Sequence, residues 1–147
     1  MIRKIHIGED KRITLEDYEL LRPWWEQRGG AAPPREILPT LGIIKETSDG
    51  TPLACGFLYL DATGSGVAWL SWMATNPEQS AQVAGRALLG ALRFLEAEAK
   101  ALDYWVATAT LADPGFVSLM NRRGYVTGDT GLCHLFKPLH AAQPANL

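Results

Sequence analysis

The sequence predicts a mixed α/β (α+β) domain: a sheet of six to seven strands with flanking helices and a parallel strand pair, 67–75 and 104–110, at its centre. Three observations lead there. Leu53 to Leu60 and Val67 to Ala74 are unbroken apolar runs between short turns, the pattern of strands covered on both faces. The stretch to Leu102 then carries Ala84, Leu88, Ala91, Leu92, Leu95, Ala99 and Leu102 at spacings of three and four, one apolar helix stripe. A strand-like run, Tyr104 to Thr110, follows at once, and a strand, a helix and a strand in that order form a right-handed parallel crossover.

The elements follow in order. Ile2 to Ile7 alternates with one slip and reads as an edge strand. Thr14 is a good N-cap with Asp17 at the third helical position, and a helix runs from it to about Arg28, where Gly29-Gly30 ends it. Pro23 is expected to kink or split that helix. Ala31 to Pro39 is proline-rich, with at most one helical turn at Arg35 to Leu38. Leu41 to Thr47 is a strand, and Ser48-Asp49-Gly50-Thr51 turns it into Leu53 to Leu60. Asp61 to Gly66 is a second glycine-rich turn, so three strands form a meander. Asn76-Pro77 reads as a helix entry, Asn as N-cap and Pro in first position. Gly115 to Arg123 is a short helix closed by Gly124, and Tyr125 to Val126 with Leu132 to Lys137 is a last hairpin around Gly128 to Gly131.

The 147 residues fit one domain over 1–138, with 139–147 a frayed tail. A net charge of −2 and a pI near 5.9 speak against nucleic-acid binding through a broad basic face, although Arg86, Arg93, Arg122 and Arg123 leave room for a local basic pocket. No apolar run is long enough to span a bilayer and the N-terminal residues contain no secretory apolar core, so a cytoplasmic protein without membrane contact is expected. Cys55 and Cys133 sit in apolar surroundings and are expected as buried free thiols. His6, His134 and His140 are far apart, and no metal site is expected.

The inferred order, β-α-α-β-β-β-α-β-α-β-β, resembles the fold of the GNAT N-acetyltransferase superfamily from end to end. The likeness is most specific over residues 73 to 126. Pro77 follows the fourth strand, Gly85-Arg86-Ala87-Leu88-Leu89 stands at the family's spacing behind it, and Gly124-Tyr125 matches the family's later Gly-aromatic pair. The surroundings of Pro33 to Gly42 resemble small GNAT proteins carried by phages. Family members carry Gln/Arg-x-x-Gly-x-Gly/Ala where a helix begins. Aligned without gaps, those positions are Ser80, Val83 and Gly85, so the first glycine is replaced by Val83. A literal match, Gln82 to Ala87, lies two residues later, where the helix should already be winding.

The resemblance implies acetyl-CoA (acyl-CoA) as co-substrate, an N-acyltransferase activity, and direct attack of a primary amine on the thioester. The first amides of a helix are unpaired donors at the positive end of its dipole, suited to a pyrophosphate. It implies a cofactor site at Met73, Ala74 and Thr75 on the fourth strand and at Gln82, Val83, Ala84, Gly85, Arg86 and Ala87, with a backbone amide in Met73 to Thr75 polarising the thioester carbonyl. The family's usual acid, a Tyr four residues before the Gly-aromatic pair, is Met120 here, and Asp113 is the nearest polar residue to its helix-start Asn. Tyr125 and Ser118 lie near but off the matching position. Candidate bases are Glu26, Glu36, Asp61 and His134, each with a surface or core reading beside it. Trp24 and Trp25 point about 100° apart on a helix, so one is expected in the core and the other on the acceptor side as an aromatic wall. The acceptor is a small-molecule or protein amine, and a homodimer stays open. Two other readings remain: a GNAT-like binding module that has lost its cofactor, and a nucleobase modifier of the phage Mom type, against which the acidic pI counts.

Overall fold

The computed structural model describes residues 1–27, 30–111, 113–133, 135, 137 and 139. The chain divides into two compact units, Met1–Ala109 and Thr110–Leu147. The first holds a five-stranded mixed sheet in the order β1 (Ile2–Lys4), β2 (Gly42–Glu46), β3 (Pro52–Leu60), β4 (Val67–Thr75), β5 (Val106–Ala109). Neighbours from β1 to β4 run antiparallel, and β5 joins β4 in parallel, as the intervening helix requires. Among the described residues no helix is long and apolar enough to cross a membrane.

The strand count is five among the described residues where six to seven are expected. Of the expected hairpin, only the first arm is fully described. Tyr125 to Gly131 is described and contains no strand, while residues 134, 136 and 138 lie outside the description. Val126, Leu132 and Leu135 are exposed, and a two-stranded hairpin that buries no apolar face is at best marginal in water. β5 is shorter than expected, 106–109 rather than 104–110. Trp105 instead turns out to solvent, and its amide bonds to the Gly66 carbonyl.

β3 is covered on both faces, as its continuous apolar run demands. On one side lies α1 (Leu15–Glu26), whose Leu21, Trp24 and Trp25 join Ile44, Cys55, Phe57 and Ala74 in one cluster. On the other lies α2 (Ala81–Ala101), which buries Ala84, Ala87, Leu88, Ala91, Leu92, Leu95 and Ala99. Leu92 and Leu95 are fully buried, each contributing about 1.5–3 kcal/mol. Leu102, expected in that stripe, sits past the helix end and is exposed. A Cβ at Gly56 would stand 2.9 Å from Leu95 Cδ1, so this glycine is what lets α2 come down on β3.

Pro23 does not split α1, which runs unbroken from Leu15 to Glu26. It forgoes one intrahelical bond near the C-terminal end, and the helix continues because the residues on either side, Leu21, Trp24 and Trp25, are held against the sheet. The helix entry expected at Asn76 is also displaced. Asn76 is buried, its amide bonds to the Leu53 carbonyl and its Nδ2 to the Pro52 carbonyl, while its Oδ1 accepts from the Glu78 amide. It therefore anchors a turn, and the N-cap is Ser80, whose Oγ accepts from the Val83 amide at 3.3 Å.

In the second unit, α3 (Pro114–Arg122) is capped by Asp113, which accepts from the Phe116 amide at 2.9 Å, and is closed by Gly124 with φ of 96°. Cys55 is buried as expected, but Cys133 is exposed, as are Leu132 and Leu135.

Candidate active site

The candidate site lies on the part of β4 that runs on beyond the end of β5. Their ladder runs from Val67↔Val106 to Leu70↔Ala109 and stops there, while β4 continues to Thr75. Over that stretch β4 is also irregular against β3. Phe57 pairs with Ser71 and Cys55 with Ala74, so Trp72 and Met73 together face the single residue Gly56. This is a β-bulge, a feature that bends a strand and re-aims its backbone groups. It places Trp72 in the left-handed region, φ 53°, where a bulky side chain costs about 1–3 kcal/mol unless its surroundings hold it.

Four groups hold the bulge. Trp25 Nε1 donates to the Trp72 carbonyl at 2.9 Å, and Cys55 Sγ reaches the same oxygen at 3.6 Å. The Trp72 indole N–H donates to Tyr59 Oη at 3.0 Å, and that hydroxyl donates to the Ile37 carbonyl at 2.7 Å. Burial pushes the Tyr59 phenol above its usual value, partly offset by the Trp72 bond, so it stays a neutral donor. Met73 and Ala74 are buried beneath this clasp.

The second part of the site is the start of α2, which follows the C-terminal end of β4 after a five-residue connection. Gln82, Val83, Gly85 and Arg86 are exposed there, while Ala84 and Ala87 face the sheet. Of the six residues expected to present amides, only Gln82 and Val83 lie in the first turn, and Val83 already donates to Ser80 Oγ. The Ala84 amide bonds to the Ser80 carbonyl, and from there on the amides are taken up inside the helix. Ala81 and Gln82 are thus the helix donors that the cap leaves over. Val83 does not turn into the protein beside Ala84 and Leu88. It is 40% exposed. A Cβ on Gly85 would meet nothing within 4 Å, so helix packing does not explain this glycine.

The other sequence candidates fall elsewhere. Trp24 and Trp25 are both buried, at 5% exposure each, so neither forms an open wall: α1 lies flat enough on the sheet to bury both sides of the pair. Glu26 is exposed and paired with Arg22 at 2.6 Å. Asp61 is at the far end of β4, where Ser65 and Thr63 bonds hold its carboxyl well below the usual range. A carboxylate so stabilised is a poor base. Glu36 stands in the single turn Arg35–Ile37, 3.9 Å from Arg12. Tyr125 belongs to the second unit, its amide bonded to the Met120 carbonyl, and Met120 is buried there. His134 lies outside the described residues. Among those described, no group of three His, Cys, Asp or Glu could hold a metal ion. A cavity of about 540 Å³ between Glu96, Lys100, Tyr104 and Trp105 opens at the opposite end of α2 from its N-terminus.

The Trp72 bulge and its clasp were not found from sequence. Val67 to Ala74 is apolar throughout, and such a run carries no mark of an extra residue. The one available signal was Gly56, opposite the bulge on β3, which reads as a packing glycine.

Searches against known structures give the fold its relatives. The chain superposes on N-acetylglutamate synthase from Neisseria gonorrhoeae, solved with coenzyme A and N-acetyl-glutamate, with a TM-score of 0.63 and 21% identity over 88% of this chain. The fold is that of the GNAT acetyltransferases. The chain spans 28% of the length of that synthase. It also matches glucosamine-6-phosphate N-acetyltransferase from Arabidopsis thaliana (TM-score 0.57, 9% identity, 93% of this chain and 98% of that one). An acetyltransferase from Trypanosoma brucei matches likewise (TM-score 0.56, 10% identity, 92% and 99%). No family model matches the sequence, and no curated protein sequence matches it.

Proposed function

We propose that this chain is an acyl-CoA-dependent N-acyltransferase, transferring an acetyl group from acetyl-CoA to a primary amine. The observation that carries the reading is the end of the β4–β5 ladder at Leu70 and Ala109, beside a bulged strand and a capped helix N-terminus. Ser71 to Thr75 of β4 lie outside the ladder with β5, and the helix start offers donors for an anion. The fold's relatives, among them a synthase solved with coenzyme A, support the same reading.

Under this reading the amides of Ala81 and Gln82 hold the pyrophosphate, with Arg86 adding charge from the exposed face and Gly85 leaving space above them. A backbone donor in Met73 to Thr75 would stabilise negative charge on a carbonyl oxygen. Acetyl-CoA supplies the activated acyl group. The exchange is amine plus thioester to amide plus thiol: a C–N bond forms, a C–S bond breaks, one proton leaves the ammonium and one reaches the thiolate. Met120 offers no acid, Glu26 and Asp61 make no fitting base, and water serves for both transfers.

The exposure of Val83, where the family carries glycine, favours a second reading, a GNAT-fold binding module without catalysis. Mixing the protein with acetyl-CoA and a panel of primary amines, small and peptidic, and following free thiol separates the two. Amine-dependent thiol release is expected. Absence of both thiol release and acetyl-CoA binding favours the module, which has lost its cofactor.

A further inference from the structure

α1 covers only part of its side of the sheet. Its cluster takes in Ile44, Cys55, Phe57 and Ala74. Two residues past Phe57 on β3 stands Tyr59, on the same face by strand alternation. Residues opposed in an antiparallel pair share a face, so Ser71 opposite Phe57 and Trp69 opposite Tyr59 continue it on β4. Trp69 is 42% exposed. Its indole N–H and the Ser71 hydroxyl have no hydrogen-bond partner among the described residues. Asp61 closes the row, its amide bonded to the Val67 carbonyl at the start of β4. Thr63 and Ser65 hold the Asp61 carboxyl well below its usual range, so it stays charged, and among the described residues no cation pairs with it. Neither β3 nor β4 contains a Lys or Arg.

An aromatic face beside an uncompensated carboxylate, with no positive charge on either strand, suits an ammonium group. The groups follow one another along β4: the carboxylate, Trp69, the Ser71 hydroxyl, then the backbone of Met73 to Thr75. Strand rise puts Trp69 about 10–13 Å from Met73, the lower figure allowing for the extra residue of the bulge. We propose that the acceptor is a linear diamine or polyamine: one ammonium rests on Trp69 beside Asp61, and the other end, as the free amine, reaches the acyl group at Met73 to Thr75. Ser71 offers its hydroxyl to the chain between them. This rests on the acyltransferase reading above and narrows its primary amine to one that carries a second charge. Asp61 acts here as a fixed charge, not as a base.

The test has two parts, run on wild type, W69L, D61N and the double variant. The first is calorimetric titration with spermidine in the absence of acetyl-CoA. Saturable binding that weakens as salt is raised is expected for wild type. W69L should weaken it about threefold to fivefold, D61N about twofold, and the double variant about tenfold. The second is thiol release from acetyl-CoA with spermidine and with n-hexylamine, which lacks the second charge. Wild type should show a kcat/KM for spermidine about tenfold or more above that for hexylamine, and the variants should close this gap by lowering the spermidine value alone. Equal use of the two amines, or spermidine binding that W69L and D61N leave unchanged, would overturn the assignment while thiol release kept the acyltransferase reading in place. If no amine releases thiol, that reading fails and the acceptor assignment fails with it, even where spermidine binds. Should W69L not fold, D61N decides by the same two comparisons.

Discussion

Asp17→Asn is expected to lower stability by about 2–3 kcal/mol. Asp17 is 2% exposed. Its carboxylate accepts from Arg3 Nη2 at 2.8 Å and Nη1 at 3.0 Å, and from the His6 amide at 2.8 Å, tying α1 to the β1 edge of the sheet. Asparagine keeps one oxygen for the His6 amide but turns an NH₂ toward the guanidinium. Bonds to a charged group contribute about 1.5–3 kcal/mol each. Arg3 retains Glu46 at 2.6 Å and is 27% exposed, so water recovers part of the loss and the sum is held to about 2–3 kcal/mol. For a chain of this size that is a fall in Tm of roughly 4–12 °C. The pH dependence gives a second check. Burial acts to raise the Asp17 carboxyl, but the Arg3 and His6 bonds outweigh it and the carboxyl lies below its usual value. A lowered folded value means stabilisation that is complete above the ordinary carboxylate range near 3.9 and disappears as pH falls below it. Urea denaturation from pH 7 down to pH 3 should therefore show wild type and variant converging on the acid side. A difference under about 0.5 kcal/mol at pH 7, or one that does not shrink toward pH 3, refutes the reasoning.

Ser80→Ala removes the cap of α2 and is expected to cost about 1 kcal/mol, read from the urea midpoint. Gly85→Ala should do the opposite, adding about 0.5–1 kcal/mol, because the new Cβ meets open space within a helix interior; a destabilised variant would contradict the placement of Gly85.

Much of the fold was legible because it is written in periodicity. The apolar runs at 53–60 and 67–74 became β3 and β4, the stripe from Ala84 to Ala99 became the buried face of α2, and the crossover gave the parallel β5. The errors came where a local signal met a tertiary contact. Asn76-Pro77 has the chemistry of a helix entry, yet Asn76 is drawn into hydrogen bonds with Pro52 and Leu53 and the helix waits for Ser80. Pro23 is a helix breaker in isolation, but Leu21, Trp24 and Trp25 are buried around it. Gly85 stands exposed near the start of α2, where the family resemblance put it, whereas the Trp72 bulge could not be read from sequence, since it depends on which residue of β3 lies opposite. The Trp25 bond to it spans 47 positions in the chain. Helix phase turns Ala84 inward and leaves Val83 exposed.

The central claim is that an acyl-CoA is held at the start of α2, beside the C-terminal end of β4. Calorimetric titration with acetyl-CoA, on wild type and on Gly85→Leu, tests it directly. A helical side chain leans toward the N-terminus and covers the turn before it, so leucine at 85 would lie over Ala81 and Gln82 without disturbing the core. Saturable one-to-one binding with a Kd below about 1 mM is predicted for wild type. A loss of about tenfold or more is predicted for the variant, at unchanged or higher Tm. Absence of wild-type binding at millimolar acetyl-CoA, or equal affinity in the two proteins, would contradict the account.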